Sequence, residues 1–314
     1  MNVQGIQIEP VGPLSVTRAI RFIAAGACRD LEALGLGRTL EAAARHRSVR
    51  GVCLWWARRG GRPIAAAMAL ISRGGAAAVF LSAPSSAGVD PAVLPAVVRA
   101  AAMEALEAGA AFAQALVPTD SPGPADVLAK AGFEVLADLM FMHKPLRPHP
   151  NMRIQDSCGP WEVLRFGQYS QDEMERVLEA SYIGSADCPR LAGLRRTADV
   201  IECHKGTGRF CPRWWWLARS QGRSAGCILV NRVPRASEAE VVYLGVVPAF
   251  RRRGLGRWLL RLAGDAAARA GLREISLAVD AANTPAIRLY SEEGFSVAQR
   301  TTAHFFYRHP ETAT

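Results

Sequence analysis

Between residues 51 and 84 short apolar runs alternate with turn chemistry: GVCLWWA, PIAAAMALI and AAAVFLSAP are separated by RRGGR and SRGG. Runs of that length between glycine-rich turns predict antiparallel hairpins. After them DPAVLPAVVRAAAMEALEAG reads as helix, AAFAQALV as strand, PADVLAKAG as helix and FEVLADLMFM as strand. The second half repeats the order. RWWWLARSQGRSAGCILVN and AEVVYLGVV supply three strands, a helix starts at about Gly254, and the strand EISLAVD, the helix PAIRLYSEEG and the strand FSVAQRTTAHFFYR follow. Matching the halves gives an internal repeat with a period of about 160 residues, in which PADVLAKAGFEV lies beside PAIRLYSEEGFSV and AAAVFL beside AEVVYL. The pattern predicts two copies of one mixed α/β unit in tandem.

At 314 residues the chain exceeds what one core usually serves. KPLRPHPN, Lys144 to Asn151, carries three prolines, and neither helix nor sheet is expected to cross it. The expected division is therefore a domain over 1–144, a linker over 145–151 and a second domain over 152–310. No apolar run approaches the roughly 20 residues of a membrane span, and MNVQGIQIEP lacks the regions of a signal peptide. The expected location is the cytoplasm. Seven scattered cysteines without a C-x-x-C pair read as reduced thiols, so no metal is expected.

The net charge of +10 raises the question of nucleic acid, and its distribution answers it. Residues 1–150 hold 15 basic and 11 acidic side chains and residues 151–314 hold 23 and 17, with no aromatic-laced basic stripe. A small anionic ligand accounts for the excess at least as well as DNA or RNA. The candidate receptor is RRRGLG, residues 251–256, between the run EVVYLGVV and the helical RWLLRLAGDAAARAG. A strand that ends before a glycine-spaced turn, with a helix starting inside it, leaves several backbone N–H groups pointing one way, which makes an anion site. Gly254 and Gly256 let the backbone approach a ligand, while Arg251, Arg252 and Arg253 suit phosphate oxygens. The other reading is a solvated turn. GLGR also occurs at 35–38, where it follows a helical pattern and reads as a C-cap, so the motif means little without its strand.

With its context, AEVVYLGVVPAFRRRGLGRWLL followed by NTPAIRLYSEEGF, the chain resembles the GCN5-related N-acetyltransferase (GNAT) superfamily. Arg251, Gly254 and Gly256 match the family's signature loop, and Asn283, Ala286 and Tyr290 match a later helix start, ahead of Gly294 and Phe295. The motifs run from about Ala239 to Phe295. The resemblance implies two tandem GNAT-like domains, each a mostly antiparallel mixed sheet flanked by helices. It also implies transfer of an acetyl group from acetyl-coenzyme A to a primary amine through a ternary complex. The loop, through Leu255 and Arg257 as well, would hold the pyrophosphate, and backbone at Leu244, Gly245 and Val246 would pair with the pantetheine arm. Glu240 falls at a family general-base position; the alternative is a glutamate satisfied at a strand edge or by an arginine. Tyr290 matches the general acid, against the alternative of a packed helix tyrosine. Asn283 would bond the cosubstrate, cap its helix, or both. The N–H near Val246 is the expected oxyanion donor.

Opposite Glu240 in the repeat stands Ala77, opposite Tyr290 stands Ala129, and opposite RRRGLG lies SSAGVD. Base, acid and loop are missing together, so the first domain is expected to be a degenerate copy and the second to hold the one active site. The Cys203-His204 pair lacks partners at ligand spacing. Of Trp214, Trp215 and Trp216, successive strand residues that alternate faces, at least one is expected in the core. Tyr182, Asp187 and Arg190, in the segment after a predicted helix, are the acceptor candidates. The rival functional reading is a non-catalytic acyl-coenzyme A binding or sensing protein.

Overall fold

The computed structural model describes residues 2–3, 5–27, 40–46, 48–83, 90–147, 161–234 and 236–308. The chain forms two compact units, Met1–Leu136 together with Thr302–Thr314, and Ala137–Thr301.

The first unit contains β1 (Asn2–Val3), β2 (Ile6–Pro10), α1 (Val16–Ala27), β3 (Val49–Arg59), β4 (Arg62–Ser72), β5 (Ala76–Leu81), α2 (Val93–Glu107), β6 (Phe112–Pro118), α3 (Pro122–Lys130) and the start of β7 (Glu134–Pro145). Strands β1 to β5 pair antiparallel in chain order, and β5 meets β6 in parallel over Ala76 to Ala78. The unbroken apolar run of β4 has a simple cause: both faces of the sheet are covered. Ala65, Ala67, Ala69 and Ile71 enter the core under α2 and α3, and Ala66, Met68 and Leu70 enter the core under α1. The GLGR at 35–38, and SSAGVD up to Val89, lie outside the described residues.

The second unit contains the rest of β7, then β8 (Glu162–Arg165), α4 (Gln171–Tyr182), α5 (Thr197–Gly206), β9 (Trp215–Ser220), β10 (Arg223–Arg232), β11 (Glu238–Val246), α6 (Leu255–Arg269), β12 (Glu274–Asp280), α7 (Thr284–Glu292) and most of β13 (Ser296–Phe306). Strands β8 to β11 are antiparallel neighbours and β11 meets β12 in parallel. Trp216, Ala218, Ile228 and Val230 face α6, while Trp215, Leu217, Cys227 and Leu229 face α4 and α5. The tryptophans alternate as their spacing requires: Trp215 and Trp216 are core residues, and Trp214 lies half-buried under the guanidinium of Arg232.

The division does not fall in the proline-rich segment, because β7 runs on into it. Leu139 to Pro145 pair antiparallel with β12, and Leu146 N donates to Arg273 O at 2.8 Å. Pro145 is accommodated because it closes its strand. Likewise the end of β13 belongs to the first unit, where Phe306 packs on Phe133 with ring centres 5.3 Å apart. Residues 148–160 lie outside the described residues.

Two irregularities of β11 shape the site. Its register against β10 shifts from Leu229↔Tyr243 to Val230↔Val241, which leaves Val242 as the extra residue of a β-bulge. Its pairing with β12 ends at Val241↔Leu277, although β11 continues to Val246. From Val242 onward that edge of β11 has no ladder partner in β12.

Candidate functional site

Val247 N donates to Ala225 O on the β10 side. Peptide groups alternate sides along a strand, so the N–H and C=O of Val246 and Leu244 point the other way, into the gap that β12 vacates. Gly245, between them, is buried, and a Cβ there would lie 2.5 Å from Ser181 Oγ and 2.7 Å from the Tyr243 ring. Only glycine lets α4 close over this strand.

The loop that follows ends in α6. Gly254 takes φ 84° as its N-cap, and Arg252 also takes a left-handed φ of 63°. A Cβ on Gly254 would meet nothing within 4 Å, so the turn is open, and φ is what demands glycine. The α6 N-terminus has no side-chain cap and no acidic residue in its first turn. The other helices of this unit differ. Ser170 caps α4, Asn283 Oδ1 accepts from Ala286 N at 3.3 Å to cap α7, and α5 carries Asp199 in its first turn. The N–H groups at the start of α6 thus keep their partial positive charge for a ligand.

The arginines divide by role. Arg251 Nε donates to Val246 O at 3.0 Å, and its Nη atoms donate to the carbonyls of Ser181, Ile183 and Gly184 at 2.9, 2.7 and 3.3 Å. It fastens the loop to the C-terminus of α4, where a cation is favoured. Arg257 is held by Glu292 and Glu293, and Glu293, nearly buried, also takes a bidentate pair from Arg261 at 2.8 Å. Arg253 lies over Phe250 at 5.8 Å, and Arg252 is exposed.

Glu240 sits opposite Asn231 on β10 and Ser276 on β12. Half-buried, it makes no hydrogen bond or ion pair among the described residues, and burial, then neighbouring Glu238, pushes its pKa up. Unlike Glu240, Glu238 accepts a bond from Ser276 Oγ. Tyr290 is 7% exposed in the α6 and α7 core, beside Phe295 at 6.0 Å. Burial, then the charge of Asp187, raises its pKa, so the phenol stays protonated.

Asp187 Oδ1 accepts from Asp280 N at 3.1 Å, and Asp280 Oδ2 accepts from Cys188 N at 3.0 Å, which ties the loop after α4 to the end of β12. Burial raises the Asp187 carboxyl despite the exposure of the residue as a whole, the backbone N–H of Asp280 works against that rise, and the charge of Asp280 adds to it. Tyr182 packs edge-on against Tyr243 at 5.8 Å, and burial pushes it up to about 12. The tertiary structure therefore gathers Tyr182, Asp187 and Tyr290, whereas Arg190 stands on an exposed turn with partners of its own.

The spacing of motifs missed Tyr243 and Ser181, and set His204 aside for want of ligand-spaced partners. Ser181 Oγ donates to Leu178 O at 2.7 Å, so Tyr243 must be the donor in its 2.6 Å bond to Ser181. The ring of His204 lies 5.5 Å from Tyr243, its Nε2 has no hydrogen-bond partner among the described residues, and burial lowers its pKa to about 4. Only α5, too weakly patterned to predict, places it there. Asp280 was legible at most as an aspartate closing an apolar strand.

In the first unit Ala77 pairs with Ala113 across the parallel strands, as Glu240 pairs with Ser276, and β5 carries no register shift against β4. Asp90 Oδ1 accepts from Ala92 N at 2.8 Å, so a carboxylate of the chain itself stands at the start of α2, where α6 has none.

A parallel strand pair that parts beside a glycine turn and an uncapped helix is the arrangement that the resemblance to the GNAT superfamily leads one to expect. Residues 186–295 match the acetyltransferase (GNAT) family. It is 29% identical to the mycothiol acetyltransferase of Clavibacter michiganensis subsp. michiganensis, over 75% of this chain and 74% of that one. The alignment with the mycothiol acetyltransferase of Thermobispora bispora, 32% identical, covers 60% of this chain and 63% of the relative, which is less than two thirds. Two tandem-length structures share the fold. A GCN5-related N-acetyltransferase from Sphaerobacter thermophilus aligns with TM-score 0.59 at 19% identity, covering 98% and 96% of the two chains. A tandem GNAT protein from the clavulanic acid biosynthesis pathway aligns with TM-score 0.56 at 17% identity, covering 97% and 99%. The fold is mixed α/β and mostly antiparallel, and the match over residues 186–295 supports an N-acetyltransferase.

Proposed function

We propose that the second unit transfers an acetyl group from acetyl-coenzyme A to a primary amine in a ternary complex, and that the first unit is a non-catalytic copy. The observation that carries this reading is the uncapped N-terminus of α6 beside the freed edge of β11. The N–H groups from Gly254 to Arg257, with Arg252 and Arg253 beside them, suit the pyrophosphate, and Leu244 to Val246 offer a strand edge to the pantetheine arm. Arg251 and Arg257 hold this frame in shape, since their guanidinium groups already have partners. Asn283 serves first as a cap.

When bound, the thioester supplies the activated acetyl carbonyl. Glu240, with its raised pKa and no competing partner, takes the proton of the incoming amine. Val246 N–H faces the gap and stabilises the carbonyl oxygen as charge grows there. Tyr290 keeps its proton at neutral pH and gives it to the departing sulfur. Tyr182 and Asp187 border the acceptor, and Arg190, on its exposed turn, does not. Asp187 is an anion suited to an ammonium group before that group loses its proton. The relatives' name makes unacetylated mycothiol the first acceptor to assay, ahead of other small amines.

The test follows coenzyme A release by chromatography with unacetylated mycothiol and a panel of primary amines. The expected result is turnover that falls at least a hundredfold in Glu240→Gln, with acetyl-coenzyme A still bound at one per chain. Binding without turnover across the panel would favour the sensing reading, and two cosubstrates per chain would overturn the assignment of the first unit.

A further inference from the structure

We propose that the second unit carries a second small-molecule site, for an amphipathic anion, along the C-terminal half of α6. A cavity of about 350 Å³ opens there, bounded by α6, the end of β7, β12 and the turn after α7. Its centre near Gly264 lies roughly 14 Å along the helix from the glycine loop, at 1.5 Å of rise per residue, so it is separate from the pyrophosphate loop. The volume is within the range of ligand pockets.

Two features of the lining specify the occupant. The floor is apolar, built from Leu146, Leu260, Ile275 and Phe295, and α6 lines it with Gly264 and Ala268, one turn apart, in place of larger side chains. A Cβ at Gly264 would only touch Leu146 at 3.8 Å, so packing does not impose the glycine and its φ is not left-handed. The rim is cationic. Lys144, Arg147 and Arg269 line the opening, and none has a carboxylate partner among the described residues. Lys144 is half-buried, with its ammonium 6.0 Å from the centre of the Phe295 ring. The acids nearby are already engaged: Glu293 holds Arg257 and Arg261, and Asp265 has a partner of its own. An apolar pocket with a surplus of uncompensated cations at its mouth selects a molecule with a hydrophobic body and a carboxylate, sulfonate or phosphate head.

The probe for this site is 8-anilinonaphthalene-1-sulfonate, titrated by fluorescence into the full chain with coenzyme A present in excess to block the glycine loop. The expected result is one probe per chain. Its affinity should fall at least tenfold in Lys144→Glu combined with Arg269→Glu, and binding should disappear in Gly264→Leu, which fills the cavity. A single conservative change, Lys144→Arg, should retain it. Thermal melting and acetyl-coenzyme A binding of each variant establish that the fold and the first site are intact. Probe binding that survives both the charge reversal and the filled cavity, or that vanishes with excess coenzyme A, would overturn the proposal.

Discussion

Replacing Arg251 with alanine distinguishes a side chain that touches phosphate from one that builds the place where phosphate sits. In the structure its guanidinium donates to four backbone carbonyls, three of them within 3.0 Å, and it joins the end of β11 to the end of α4. A hydrogen bond to a charged group contributes about 1.5–3 kcal/mol in favourable settings. Solvent reaches this site and water can replace the arginine, so about 2–3 kcal/mol for the whole set is the appropriate scale. For a unit of this size that lowers Tm by roughly 5–10 °C. The assay pairs calorimetric melting with titration of coenzyme A at low and high salt. The expected outcome for Arg251→Ala is a clear loss of stability, with weaker coenzyme A binding by a factor that changes little with salt. Arg252→Ala should do the reverse, leaving Tm alone and weakening binding more at low salt, where exposed charges are least screened. An Arg251→Ala protein that melts like the wild type but binds coenzyme A in a salt-dependent, weakened manner would refute the reasoning.

Three further outcomes are expected. The raised pKa of Glu240 means that the folded state disfavours its charge, so the associated stability is present in acid and is lost as pH rises through the folded pKa. Glu240→Gln should therefore melt higher than the wild type at neutral pH, with the difference vanishing below about pH 4; equal melting at all pH values would contradict the burial argument. In the wild type the acid limb of the rate profile should lie above the ordinary carboxylate range. Tyr290→Phe should keep the fold, since the ring stays packed, and lower kcat by roughly 10–100-fold with little change in KM; an unchanged kcat measured by coenzyme A release would remove it from the mechanism. Glu293→Gln should cost about 2 kcal/mol in chemical denaturation, because a nearly buried carboxylate loses two arginines that themselves remain solvated.

The candidate site was legible where chemistry is encoded locally. A glycine that must take a positive φ, a proline-flanked asparagine cap and an apolar strand each announce themselves within a few residues, and Gly254, Asn283 and β11 stand where the sequence predicts. Elements with weak or short patterns escaped: β1, β2, β8 and α5 owe their stability to packing against the sheets, not to their own periodicity, whereas α1 went unread although Ala19, Ile20, Ile23 and Ala24 form a helical apolar face. Pattern also misled at KPLRPHPN, where Lys144 and Pro145 still pair with β12. Proline marks the end of a strand but does not say which unit that strand joins.

The sequence by itself pointed to a two-unit mixed α/β protein and placed the candidate base, candidate acid and glycine loop in one half, with none of the three at the matching positions of the other. Only the tertiary structure decided which side chains are free to act. Arg251 reads as a phosphate ligand until the carbonyls at the end of α4 are seen to occupy it, and Glu240 has no hydrogen-bond or ion-pair partner among the described residues, which is what the proposed role of base requires. The bulge at Val242, the parting of β11 from β12 and the meeting of Asp187 with Asp280 depend on contacts between residues far apart in the chain. A hydrogen bond satisfied across such a distance leaves no trace in local spacing, and a donor's availability is a property of everything folded around it.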